Sequence, residues 1–169
     1  MEPSLTDALC TRCGLCCDGS LFADVELAGY REAARLEILG LAVEEGDAPG
    51  GLLAQPCAAL AGRRCGIYAH RPECCRTFEC RLLRDVRRGR VSVERAGTHI
   101  TEALRLIRRA KVLLVQCGQR DLHVPLAERS AEALAAGARA SPRVNRQRAE
   151  LAATMSALGN LIRRVFLPG

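Results

Sequence analysis

Cysteine sets the strongest limit on what this chain can fold into. The 169 residues contain ten cysteines, and nine of them come before residue 84. Four fall within eight residues, in the segment "CTRCGLCC" that begins at Cys10. So many thiols at such short spacing are typical of a disulfide framework, a redox pair or a metal site. The compartment in which the chain works helps to choose among these.

The N-terminal segment favours a reducing compartment. The first ten residues, MEPSLTDALC, place an acidic residue at position 2 and lack the apolar stretch of a secretory signal. No apolar run approaches the ~20 residues that a transmembrane helix needs. We therefore expect a cytoplasmic protein that makes no use of a membrane. Thiols stay reduced in the cytoplasm, so the cysteines favour metal binding over disulfides.

Composition predicts a helical fold that needs a further stabilising element. Aromatic residues make up 3% of the chain, Trp is absent, and the apolar residues are mostly Ala, Leu and Val. A core without large aromatic anchors is weak, and a bound metal can compensate for it. We expect a mainly α protein whose irregular, cysteine-rich N-terminal half is held by metal and packed with amphipathic helices. Residues 1–83 would form the metal-binding region and residues 84–169 a helical region that packs on it, in one domain overall.

The apolar pattern predicts two helices before residue 120. One covers residues 24–39, where the pattern is mixed but compatible with a helix. The other covers residues 99–117, with Thr98 or Thr101 as its N-cap. The preceding segment "VSVE", residues 91–94, is predicted to be a short extended piece.

A third helix is predicted over residues 143–165. Ser141 and Pro142 form a favourable N-cap and first-turn pair. The helix carries a near-heptad apolar stripe made of Val144, Leu151, Met155, Leu158, Ile162 and Val165. Such spacing is that of a helix packing seam. We expect the stripe to dock on the chain's own core; the alternative is a homodimer or a protein partner bound through the C-terminal helix.

The N-terminal cysteines have the spacing of metal ligands. Cys10 and Cys13 are separated by two residues, and Cys13 and Cys16 repeat this spacing, which lets thiolates converge in a tight turn. Gly14 fits such a turn because glycine tolerates positive φ. The side chains of the adjacent residues Cys16 and Cys17 project in different directions from the local backbone. They could therefore serve different metals or different corners of one cluster.

Four motifs carry a resemblance to a known family. Cys-x2-Cys-Gly-x-Cys-Cys is followed by Pro-Cys-x2-Leu, Cys-x-Ile-Tyr and Arg-Pro-x2-Cys-Arg-x-Phe-x-Cys. This order resembles the CxxCxxCC family of cysteine-cluster proteins, described as zinc- or iron-chelating, from Cys10 to about Leu83. The resemblance implies eight metal ligands: Cys10, Cys13, Cys16, Cys17, Cys57, Cys65, Cys75 and Cys80. Cys74 falls at a free position of the family pattern, and Cys117 lies outside it.

The ligand type leaves the metal open between zinc and iron. Thiolates suit both, and iron could be bound as an ion or as an iron–sulfur cluster. Cys10, Cys13 and Cys16 match the first three ligands of a ferredoxin-type run, although the following x3-Cys-Pro is missing. The sequence thus predicts a metal-binding protein. The alternatives are an iron–sulfur-dependent enzyme that modifies a protein, and a thiol or metal sensor with a nucleic-acid-binding face.

The charge of the chain fits an anionic metal site. The net charge is +6, nearly all cations are arginines, and Lys111 is the only lysine. Arginine near a thiolate stabilises the anion, and by resemblance Arg71 and Arg76 are the best candidates for this. Basic charge also permits nucleic acid as a partner, but the scarcity of aromatic residues argues against a surface that stacks bases.

Overall fold

The computed structural model describes residues 5–135 and 141–167, and most of these are helical. The helices are α1 (Leu5–Cys13), α2 (Tyr30–Ile38), α3 (Glu73–Thr77), α4 (Arg81–Arg87), α5 (Val93–Gln116), α6 (Leu126–Ala135) and α7 (Pro142–Leu161). A 3-10 turn covers Tyr68–His70, and α7 continues as a π-helix over Ile162–Phe166. The mainly α prediction is confirmed. Within the described ranges, no helix is both long and apolar enough to cross a bilayer.

Two small pairs of antiparallel strands accompany the helices. Strand β1 (Asp24–Glu26) pairs with β2 (Leu52–Ala54), so that Val25 lies opposite Leu53. Strand β3 (Leu60–Ala61) pairs with β4 (Arg64–Cys65). Such short strands are not stable by themselves in water. The cysteine-rich half is therefore irregular, as predicted.

The main core lies between α5 and α7 and also holds the ends of the cysteine-rich half. Leu113 and Leu114 of α5 and Leu151 of α7 are fully buried there. Leu15, which follows α1, and Leu83 of α4 belong to the same cluster. The segments that carry the N-terminal cysteines and Cys80 are thus anchored on one core. The division of the chain at residue 83 stays a prediction.

A second, smaller core lies within the cysteine-rich half. Its buried members come from α2, from the β1–β2 strand pair and from the loops beside them: Leu27, Leu36, Leu41 and Leu53. Cys57 and Ile67 pack against it. This core is too small to order the surrounding loops through burial alone.

The helix predicted over residues 24–39 is wrong in its first part. Asp24–Glu26 form a strand, and the helix begins at Tyr30. The strand forms because Val25 pairs with Leu53 of the antiparallel strand β2. Since that pairing joins segments far apart in the sequence, local periodicity could not indicate it.

Helix α5 begins earlier than predicted. Ser92 is its N-cap, with the Oγ accepting a hydrogen bond from the Arg95 N–H at 3.1 Å. Thr98 and Thr101 lie inside the helix, where their hydroxyls donate to backbone carbonyls one turn back. The predicted threonine caps are therefore wrong, and so is the extended piece beyond Ser92, because its last two residues are helical.

Helix α7 begins as predicted. The Ser141 Oγ accepts a hydrogen bond from the Val144 N–H at 3.4 Å, and Pro142 is the first helical residue. Leu151 and Leu158 of the apolar stripe are buried in the main core. The stripe thus docks on the chain's own core.

The corrected start of α5 predicts a difference between two hydroxyl residues. Ser92→Ala removes the acceptor for an otherwise unpaired helical N–H and should lower the free energy of unfolding by about 1 kcal/mol. Thr98→Ala is the matched control, because Thr98 is exposed within the helix and alanine is the better helix former. We expect it to be neutral or slightly stabilising in urea titrations. A larger loss for Thr98→Ala than for Ser92→Ala would contradict the assigned cap.

Candidate metal centre

The first cysteines lie at the end of α1. Cys10 and Cys13 are three residues apart on its last turn, so they share a helix face. Gly14 ends the helix with a φ of +73°, and its N–H donates to the Cys10 carbonyl oxygen at 3.2 Å. A Cβ at Gly14 would also lie 3.4 Å from the Cα of Arg63. The predicted need for glycine at this turn is confirmed.

The turn after α1 separates two adjacent cysteines. Leu15 is fully buried in the main core and fixes the start of the turn. The Cys17 N–H donates to the Gly14 carbonyl oxygen at 3.0 Å, which closes the turn. The Cys17 carbonyl oxygen then accepts a hydrogen bond from the Cys57 N–H at 2.8 Å. Cys17 is thereby tied to a segment forty residues further along the chain.

Cys80 lies at the start of α4 beside the α1 cysteines. It is the N-cap of α4, and its Sγ accepts a hydrogen bond from the Leu83 N–H at 3.4 Å. Helix α4 contacts α1, and both Cys13 and Cys80 pack against the main core. Four cysteines lie close enough for their charges to interact, and we call them the first thiol group: Cys10, Cys13, Cys16 and Cys80.

The remaining four motif cysteines form a second thiol group: Cys17, Cys57, Cys65 and Cys75. Cys57 is hydrogen bonded to Cys17 and accepts from the Leu60 N–H at 2.9 Å. Leu60 is the strand partner of Cys65 in the β3–β4 hairpin. Cys75 lies on α3. The first group therefore borders the main core, whereas Cys57 of the second packs on the smaller core.

Glu32 positions α3 and was not singled out in the sequence. This carboxylate is 9% exposed, and its Oε1 accepts a hydrogen bond from the Glu73 N–H at 2.7 Å. Its Oε2 accepts from the Ala28 N–H at 2.9 Å. Glu32 thus joins the smaller core region to the first turn of the helix that carries Cys75. The sequence signal for this role is weak: an acidic residue within the helix predicted over residues 24–39.

Burial and mutual repulsion oppose ionisation in the first group. Burial is the main cause that raises the pKa of Cys13 to about 12; the charges of Cys80 and Cys10 contribute to this rise, and a backbone hydrogen bond from Leu15 opposes it. Burial likewise raises the pKa of Cys16, followed by the charges of Cys13 and Cys80. Cys16 also interacts with its neighbour Cys17. These interactions require the members of the first group to lie near one another.

In the second group, the pKa values of Cys17, Cys57 and Cys75 are also raised. Burial raises the pKa of Cys17 to about 11, followed by the charges of Cys57 and Cys65, while the Arg71 charge lowers it. Burial also raises the pKa of Cys57, and the Cys65 charge adds to this rise. Cys75 interacts with Cys17 and Cys57 as well. A cation between such thiols would stabilise the thiolates that burial and repulsion disfavour.

The two groups have the right donors but are not closed around a point. No disulfide joins any of the ten cysteines, all of which lie in the described ranges. Within residues 5–135 and 141–167, no three Cys, His, Asp or Glu side chains converge as they would to hold a metal ion. A cysteine side chain has a single χ1 torsion with staggered positions, so its Sγ can move while the backbone stays in place. The chemistry of the donor set fits a soft metal, and the eight-ligand assignment stays a prediction.

Cys74 and Cys117 belong to neither group. The Sγ of Cys74 lies 4.0 Å from that of Cys75, and the hydrogen bond between them lowers the pKa of Cys74 and raises that of Cys75. Cys117 is the C-cap of α5, where its N–H donates to the Leu113 carbonyl oxygen at 2.9 Å and its side chain packs on the main core.

One of the two arginines singled out in the sequence is held close to the thiols. The Arg71 guanidinium lies 3.7 Å from the centre of the Tyr68 ring, and its Nε donates to the Tyr68 carbonyl oxygen at 3.2 Å. Its charge favours the Cys17 thiolate. Arg76 is exposed.

These features define a class: a mainly α protein with a cysteine-rich N-terminal half. A model of the CxxCxxCC family, described as "Putative zinc- or iron-chelating domain", matches residues 9–99, more than half of the chain. The chain belongs to the CxxCxxCC family. The matched segment contains both thiol groups. No curated protein and no solved structure shows a significant match to the chain.

Proposed function

We propose that this protein binds zinc or iron at two sites, one at each thiol group. The proposal is supported by the electrostatic interactions among the motif cysteines, which favour two sets of four. Adjacent residues Cys16 and Cys17 fall into different sets, because Cys17 is hydrogen bonded to Cys57 while Cys16 stays with the α1 cysteines. Four thiolates are the complete ligand set of a structural zinc site.

The charges around the sites support this function. A divalent ion with four thiolates carries a net charge of −2, which nearby arginines can offset. Arg71 does so at the second group, and Arg84 favours the thiolate of Cys80 in the first. When bound, the metal would supply a cross-link between segments that have little core of their own. The residues of the chain supply the thiolates, their burial and the compensating charge.

An iron–sulfur cluster at the first group is the second candidate. Cys10, Cys13 and Cys16 have the spacing of the first three ligands of a ferredoxin-type run, whose fourth ligand is remote. Cys80 is the thiol that joins these three. This combination favours a cluster at the first group over the second, whose ligands come from four separate segments. A cluster would allow electron transfer or cluster-dependent modification of a protein.

We also propose that the protein works in the cytoplasm. A reducing compartment keeps the motif thiols available for metal, in keeping with the absence of disulfides among them.

Metal analysis tests the proposal directly. The full-length chain would be purified without oxygen, and zinc, iron and acid-labile sulfide would be measured alongside a visible spectrum. Two zinc ions per chain without sulfide support two four-thiolate sites. Iron with matching sulfide and broad visible absorption supports the cluster. A folded chain that retains no metal after desalting contradicts both forms.

Proton release on metal binding is a further prediction. Ligand thiols must lose their protons, so binding releases about four per site at neutral pH. At pH 9, four thiols with the ordinary pKa of 9.0 would be half ionised and would release only about two. At the first group, beside the main core that we expect to persist without metal, burial raises the pKa of Cys13 to about 12 and also raises those of Cys16 and Cys80, so we expect release there to stay closer to four. Zinc titration calorimetry of metal-free protein in buffers of different ionisation enthalpy measures this, and a fall to two would contradict the burial.

A further inference from the structure

A cleft of about 350 Å³ lies beside the first thiol group. Its walls come from the end of α1, the β3–β4 turn, α5 and the segment that leads into α6. Cys13 and Gly14 form part of one wall. The volume falls at the lower end of the range for small-molecule sites, which is ~300–1,000 Å³.

The cleft is strongly cationic. Arg63, Arg108, Lys111 and Arg129 all line it, whereas Asp18 is the one acidic residue among the lining residues. Lys111 and Arg63 are close enough to Asp18 for their charges to favour its carboxylate. Three positive charges therefore remain uncompensated within the lining, which favours an anionic occupant.

Arg129 differs from the basic residues of a surface that simply faces solvent, because its side chain is buried. Its side chain is 2% exposed, and one terminal nitrogen donates to the Gln119 carbonyl oxygen at 2.8 Å. Its Nε is buried and has no hydrogen-bond partner among the described residues. A buried guanidinium with an unused donor is costly unless something accepts that hydrogen bond. An oxyanion in the cleft would supply the acceptor and the opposite charge.

The other lining residues are largely apolar. Leu104 and Ile107 of α5 face the cleft together with Leu122, Val124 and Leu126. A site built only for a free inorganic ion would have little use for such a wall, whereas an organic ligand can bury its body against it.

We propose that this cleft binds a small organic oxyanion, a carboxylate or a phosphate that carries an apolar body. The basic side chains hold the oxyanion, and the leucine-rich wall holds the body. Because Cys13 shares the cleft, the bound ligand lies next to the first thiol group. This site is separate from metal binding and goes beyond the function proposed above.

Binding of matched probes tests the proposal. Benzoate, phenyl phosphate and neutral benzyl alcohol share one ring and differ in the head group. We would titrate each into the metal-loaded, full-length chain by calorimetry at low ionic strength. We expect at least one anion to bind in a salt-dependent manner and at least about tenfold more tightly than benzyl alcohol. The anion that binds better identifies the head group.

The variants Arg108→Gln and Lys111→Gln remove positive charge from the cleft and keep a polar side chain at each position. Combined, they should weaken anion binding about tenfold or more. Arg105→Gln is the matched control, because Arg105 lies on the same helix, is exposed and pairs with Glu102 outside the cleft. Unchanged circular dichroism would show that the variants stay folded. Equal binding of anions and benzyl alcohol, or equal binding by the double variant and the Arg105→Gln control, would overturn the proposal.

Discussion

Replacing Cys16 with Ser should remove metal from one site only, and replacing Cys17 should remove it from the other. The two residues are neighbours in sequence, so a difference between them cannot come from their general location. Cys16 interacts with Cys13 and Cys80, whereas Cys17 interacts with Cys57 and Cys65. Serine is a poor ligand for a soft metal, so each change leaves three thiolates at one site and four at the other.

Pairs of substitutions make this prediction sharper. Cys16→Ser combined with Cys80→Ser should lose no more metal than Cys16→Ser alone, because both residues belong to the first group. Cys16→Ser combined with Cys17→Ser should lose metal from both sites. Metal content per folded chain, measured after desalting, gives the result. The stability of the single variants should fall severely, since structural zinc contributes roughly 10–16 kcal/mol in small peptides.

Cys117→Ser is the matched control for these variants. Cys117 is half-buried like most of the motif cysteines, but it ends α5 and belongs to neither thiol group. It should keep full metal content and near-normal stability. Full metal content in Cys13→Ser or Cys16→Ser would contradict the ligand assignment. Equal loss from both sites in every single variant would instead indicate one cluster shared by all eight thiols.

The sequence predicted most of what depends on local chemistry. Gly14 indicated a turn with positive φ, and Ser141 with Pro142 marked the start of α7. Each of these signals involves residues within about one helical turn of one another. Local rules are sufficient at that range.

Long-range contacts set what the sequence could not predict. The strand at Val25 exists because Leu53 pairs with it, and the assignment of Cys17 depends on its hydrogen bond to Cys57. Glu32 reaches the backbone of Glu73 across 41 residues. Spacing alone left Cys16 and Cys17 open between two metals and two corners of one cluster, and the contact that favours separate sites, the hydrogen bond between Cys17 and Cys57, is long-range. The start of α5 was misjudged for a different reason: Ser92 is as good a cap as Thr98, and periodicity does not choose between caps.

Removing the metal should unfold the smaller core region while leaving α5 and α7 largely intact. The smaller core has four buried leucines, and each of the strands in this half is only two or three residues long. Typical domains are stable by only about 5–15 kcal/mol, so the loss of a metal cross-link is decisive for such a region. Helices α5 and α7 are different, because Leu113, Leu114 and Leu151 are fully buried in the main core that these two long helices share.

Hydrogen exchange followed by mass spectrometry measures this difference within a single chain. After treatment with a chelator under reducing conditions, peptides from residues 24–75 should lose their protection, whereas those from 100–115 and 150–160 should keep most of theirs. The protected helices act as the internal control, and adding zinc or iron back should restore the rest. Persistent protection of residues 24–75 in demonstrably metal-free protein would show that the apolar contacts alone order this half. The thiol groups would then need another explanation than a structural metal. Loss of protection throughout the chain would show that α5 and α7 depend on the α1 and α4 leucines, and hence on the first thiol group, more than their own packing indicates.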